Sequence, residues 1–146
     1  MSATREEVRV ELGSRLATTL EVPGLAQKVY AYVEADFGSQ TPVVMIATAG
    51  TGMQPLTHQG SRMIHLYDLH VYVLYALEDG TWTAEQSQQR LDQIYSAIAT
   101  WLDVPTNKVT NYWKSIKQIT DSVVIPESVG GLGYWHEVIP LRVEVY

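Results

Sequence analysis

The sequence has no cysteine, which excludes disulfide scaffolds, cysteine-ligated zinc sites and thiol catalysis together. It also has no run approaching the ~20 apolar residues that span a bilayer. Its first residues, MSATREEVRVELGSRL, are charged and amphipathic where a signal peptide has an apolar core. A soluble protein made in the cytoplasm, with no membrane contact, is expected. Positive charge is scarce: ten Lys and Arg stand against sixteen Asp and Glu, a net charge of −6. Tight nucleic-acid binders neutralise phosphates with Lys and Arg, so direct DNA binding is not expected of this chain. Charged residues make up only 18%, and phenylalanine occurs once, but there are nine Tyr and four Trp. Such rings either fill a core or mark an interface, where Tyr and Trp are favoured.

The 146 residues are the length of one domain, and no repeat, low-complexity tract or polar linker divides them. A first helix is predicted from Thr4 to Leu20, with Val8, Leu12, Leu16 and Leu20 every fourth residue and Glu6 and Glu7 in its first turn. Pro23-Gly24 stops it. Gly13 weakens it by about 1 kcal/mol relative to Ala, a cost that close packing would explain. Strands are predicted at Val29–Val33 and at Val43–Ala47, the second a continuous apolar run suited to burial on both faces. Gly50–Arg62, with three glycines and one proline, reads as a long loop or an extended hairpin arm.

Ile64–Leu77 alternates as a strand with one buried face: Tyr67, Leu69, Val71 and Val73 on one side, Asp68, His70 and Tyr72 on the other. Thr83 and Gln86 form a capping box for a second helix whose Leu91, Ile94, Tyr95, Ile98, Trp101 and Leu102 make a wide apolar stripe ending at Val104-Pro105. Asn111–Ile125 reads as one long, bulged strand, Pro126–Gly133 as a loop, and Tyr134–Tyr146 as a final strand. Pro140 cannot donate to a ladder, which predicts a bulge there or an edge position. The whole is an α+β domain: a mostly antiparallel sheet of about five strands with two main helices on one face.

The residues offer little chemistry. Asp68 and His70 share a strand face, and with His136 they would suit a metal. The simpler reading is polar residues on the outer side of a half-buried strand. Gly50-Thr51-Gly52 lacks the rest of a phosphate loop, and Gly130-Gly131-Leu132-Gly133 leads into a strand where an anion site needs a helix. No nucleophile elbow and no spaced acid–base pair is present. The residues point to no catalytic, cofactor or metal site, and to assembly as the role.

The layout resembles the tail-terminator and tail-completion proteins of long-tailed bacteriophages. The likeness is carried by the N-terminal amphipathic helix before VYAYV, the strand TPVVMIATA opening onto a long loop, YDLHVYVLYAL leading into the helix TAEQSQQRLDQIYSAIATWL, and the glycine loop before GYWHEVIPLRVEVY. It spans nearly the whole chain without a signature motif. The resemblance implies a virion protein, assembled in the host cytoplasm, that forms a homo-oligomeric, hexameric ring at the head-proximal end of the tail. The ring would end polymerisation of the tail tube protein and face the head-completion or connector protein. It would need no cofactor, and DNA would pass the lumen without specific binding. The expected neighbour or tube contacts are Gly50, Thr51, Gly52, Met53, Gln54, Pro55 and Leu56 in one loop, and Glu127, Ser128 and Val129 in the other. The alternatives are a head-completion or neck protein of the same machinery, or a small metal- or ligand-binding domain using Asp68, His70 and His136.

Overall fold

The computed structural model describes residues 3–35, 37, 40–55, 61–76, 80 and 82–146. The elements in chain order are α1 (Arg5–Leu20), β1 (Lys28–Tyr30), β2 (Val43–Pro55), β3 (Ser61–Leu74), α2 (Ala84–Asp103), α3 (Pro105–Lys108), β4 (Ser115–Gln118), β5 (Val123–Val129) and β6 (Leu132–Glu144). They build an α+β domain around one six-stranded sheet of order β1-β2-β3-β6-β4, with β5 also paired to β6. β1 and β2 are parallel, and the other pairs are antiparallel.

Both helices begin at reciprocal caps. The α2 box is Thr83 with Gln86, as its sequence predicts, and α1 has an equivalent box of Thr4 with Glu7. The α1 stripe Val8, Leu12, Leu16 and Leu20 and the α2 stripe Leu91, Ile94, Ile98, Trp101 and Leu102 are buried in one cluster with Val44, Ile46, Tyr67, Leu69, Val71, Ile139, Leu141 and Val143. Both helices therefore lie on the same face of the sheet. Each such side chain contributes roughly 1.5–3 kcal/mol on full burial. A second, smaller cluster of Phe37, Val43, Met45, Leu74 and Tyr134 covers part of the opposite face, so β2 is buried on both sides. Trp113 is fully buried and donates its indole N–H to the Asn107 carbonyl at 2.8 Å.

Three expectations change. Asn111–Ile125 is two strands, β4 and β5, that share one flank of β6: Gln118 faces Leu141 and Val123 faces Val138. Pro140 lies between these two stretches. β6 is neither bulged there nor an edge, since β3 continues beside it with Asp68 opposite Pro140. The Pro140 carbonyl still accepts the Ile119 N–H at 3.2 Å, so the missing donor falls on the flank where one strand has ended and the next has not begun.

The loop expected at Pro126–Gly133 is instead a hairpin. β5 pairs with β6 as far as Val129 opposite Leu132, and Gly130 and Gly131, with φ of 59° and 82°, form the two-residue turn. Of the two forms expected for Gly50–Arg62, the described residues adopt one, the arm. β2 and β3 stay paired out to Pro55 opposite Ser61, with a register shift between Thr48 and Gly50. Beyond Gly52 opposite Ile64 this ribbon pairs only with itself among the described residues, apart from the Met63 carbonyl, which accepts the Val145 N–H at 3.0 Å.

Gly13 meets the close packing expected of it: a Cβ there would stand 2.7 Å from the Ala31 Cβ and 3.3 Å from the Ala31 Cα. Overpacking of this kind costs about 1–3 kcal/mol, against about 1 kcal/mol gained in helix propensity. Gly13→Ala is therefore expected to lower the urea unfolding midpoint. A raised midpoint would show that Ala31 moves aside freely.

Candidate functional site

The expected contact residues divide between two projections. Gly50, Thr51, Gly52, Met53, Gln54 and Pro55 lie on β2, in the base and shaft of the arm. Leu56 lies outside the described residues. Glu127, Ser128 and Val129 close β5, beside the Gly130-Gly131 turn. The fold does not bring the two sets together. The arm leaves the sheet at the Ile64 end of β3, where Ile64 faces Glu144, and the β5–β6 turn lies past its Leu74 end, where Leu74 faces Tyr134. At about 3.3 Å per residue, the ten steps of β3 between them separate the two projections by roughly 33 Å.

Two of these residues also work within the chain. Thr51 lies opposite His65, and its hydroxyl is 3.1 Å from His65 Nδ1, while His65 Nε2 is 3.3 Å from the Ala3 carbonyl. A carbonyl only accepts, so Nε2 carries the proton and Nδ1 accepts from Thr51. The neutral ring thus ties the base of the arm to the start of α1.

Glu127 joins a second set. His70 Nδ1 and His136 Nε2 are 2.8 Å apart, and the His136 ring lies flat on Tyr72 with centroids 4.2 Å apart and planes 9° from parallel. The other nitrogen of His136, Nδ1, abuts Glu127 Oε2, in close contact but out of line for a hydrogen bond. With both rings neutral, the arrangement that gives each nitrogen a complement has His70 donating from Nδ1 to His136 Nε2, and His136 turning its own Nδ1–H toward the carboxylate. Glu127, His136 and His70 then form a polar diagonal across β5, β6 and β3. Asp68 lies on the same face of β3, opposite Pro140.

Of the three residues considered for a metal, the fold brings His70 and His136 into contact. Among the described residues no group of three His, Asp or Glu is arranged to hold a metal ion. Glu127 on β5 meets His136 on β6, and His136 meets His70 on β3, so the diagonal links β5 to the sheet. Sequence reasoning grouped His70 with His136 but missed Glu127 as their partner. The available signal was Gly130-Gly131 between Val129 and Leu132, which as a two-residue turn places Glu127 opposite Tyr134 and beside His136.

β5 adds an apolar surface, with Val123, Val124 and Ile125 all exposed. No helix among the described residues is long and apolar enough to cross a membrane. The chain matches no protein-family model, and no curated protein matches it.

Burial holds His65, His70 and His136 below the ordinary histidine pKa of ~6.5; His136 further lowers His70, while Asp68 and Glu127 oppose the shift at His70, and Glu127 opposes it at His136. Below pH ~6.5 the unfolded chain thus binds protons that the fold refuses. Stability is full above that value and falls as the pH descends toward the folded pKa values. Glu137, raised by burial, acts in the opposite sense nearer the carboxylate range. The urea midpoint is expected to fall between about pH 7.5 and about pH 5.5, and to fall less in a His70→Gln variant. A midpoint that holds or rises over that interval would refute the neutral assignment.

Proposed function

We propose that this chain is a ring-forming structural subunit of a long-tailed bacteriophage, acting as the terminator at the head-proximal end of the tail tube. The observation that carries this reading is the placement of two different projections at opposite ends of the same long strands. A subunit held between two unlike neighbours needs one contact surface at each end, and a rigid sheet keeps them at fixed separation. The arm is assigned to one neighbour and the β5–β6 hairpin, with the exposed Val123–Ile125 run, to the other. One would be the tail tube protein and the other the head-completion or connector protein.

Closure into a homo-oligomeric ring adds lateral contacts between unlike patches of neighbouring copies. The acidic balance of the chain suits a lumen through which DNA passes without adhering. The resemblance in layout to tail-terminator proteins supports the same reading. No catalytic step is assigned to the subunit.

Electron microscopy of lysates from a phage with a stop codon early in this reading frame is the direct test. Overlong tails detached from filled heads are expected. Tails of normal length beside leaking or tailless heads would move the protein to the neck, on the portal side. Intact virions would overturn both placements.

A further inference from the structure

We infer that the two lateral edges of the sheet meet head to tail between copies of this chain, the β1 edge of one against the β4 edge of the next. This rests on the ring reading above and names the surfaces that close the ring. The strand order sets β1 and β4 at opposite edges, and the two edges differ in charge.

Residues 104–120 contain Lys108, Lys114 and Lys117, three of the four lysines in the sequence, and no acidic residue. Their +3 leaves −9 on the remainder of a chain whose net charge is −6. Lys108, Lys114 and Lys117 line a groove of about 540 Å³ between the end of α2, α3 and β4, together with Leu102, Val109 and Ile116. Lys108 is offset by Asp103 at 3.7 Å. Among the described residues no carboxylate pairs with the ammonium of Lys114 or Lys117. Val109, Tyr112 and Ile119 are exposed along the same edge.

The opposite edge carries carboxylates. Within residues 21–35 Glu21 and Glu34 stand beside the single Lys28, and Arg90 reaches in from α2 to the Gly24 and Leu25 carbonyls. Val22, Tyr32 and Val33 are exposed there, each by half or more. Lys28 is drawn over the ring of Tyr30, 5.8 Å from its centroid. The Glu21 carboxylate accepts the Val29 N–H at 3.1 Å, so a backbone donor of β1 is already occupied. The joint is therefore made by side chains and not by adding a strand to the sheet.

The β4 edge is unsuited to meeting its own kind, because lysines would face lysines, whereas the β1 edge offers them the carboxylate of Glu34. Unlike edges bring an apolar centre together with opposite charges, which favours one orientation and excludes the others. The exposed β5 edge is a poorer self-contact. Antiparallel pairing of two copies about Val124 would set Asp121 opposite Glu127 twice, and like charges directly opposed destabilise.

The absence of native cysteine makes the test clean. A Val33→Cys chain and an Ile119→Cys chain, distinguished by mass, are mixed under mild oxidation and their disulfides identified by mass spectrometry alongside size-exclusion chromatography. The mixed Val33–Ile119 linkage is expected to exceed both homotypic ones several-fold, and a chain carrying both substitutions should give a ladder of covalent multimers. Lys114→Glu with Lys117→Glu in the Ile119→Cys chain should reduce linkage to background, and Glu34→Lys in the Val33→Cys chain should restore it. Circular dichroism of each variant verifies folding. An oligomer without mixed linkages overturns these edges and leaves the assembly reading standing. A chain that is monomeric and forms no linkage overturns both.

Discussion

The structure depends on the pairing of β6 along both of its flanks. One flank is taken by β3 over eleven consecutive residue pairs, from Ile64 with Glu144 to Leu74 with Tyr134. The other is shared by β4 and β5. β6 also contributes Ile139, Leu141 and Val143 to the face under the helices, and Tyr134 and His136 to the opposite face. A strand hydrogen-bonded on two sides and buried on two faces has one register. Slipping it by a single residue would exchange those apolar and polar sets.

That register explains the polar diagonal. His136 faces Tyr72 on one side and Ile125 on the other, so its neighbours along the same face are His70 on β3 and Glu127 on β5. Their meeting follows from strand pairing alone, without any loop positioning them. A histidine pair beside a carboxylate is a tolerable way to bury polar groups, because His70 and His136 hydrogen-bond each other and Glu127 lies against the far nitrogen of His136.

Much of the fold was legible wherever one period governed a long stretch. The α2 stripe with its Thr83 and Gln86 cap, and the alternation of Tyr67, Leu69, Val71 and Val73, lead directly to the observed elements. What escaped the sequence depended on partners. Whether Gly50–Pro55 is loop or strand turns on pairing with Ser61–Ile64, which local composition does not encode. The division of Asn111–Ile125 into two strands turns on Pro140, about twenty residues away. The candidate contact residues were found as two glycine-rich stretches, but their separation to opposite ends of the molecule follows from sheet order. The role of Glu127 required the hairpin register. The lysine-lined groove escaped because Lys108, Lys114 and Lys117 are too spread along the chain to read as a basic run.

The break at Pro140 has a consequence for how such a molecule can vary. Because β4 and β5 end on either side of it, the β5–β6 hairpin is an outgrowth whose length can change two residues at a time without altering the pairing of β4. The arm has the same freedom past Met53 and Met63, where its strands answer only to each other in the described ladder. Both ends of the molecule can therefore be lengthened or trimmed in whole pleats while the helices and the layer beneath them stay fixed. Reach toward a neighbour becomes a quantity adjusted in steps of about 7 Å, separately at each end and without cost to the core.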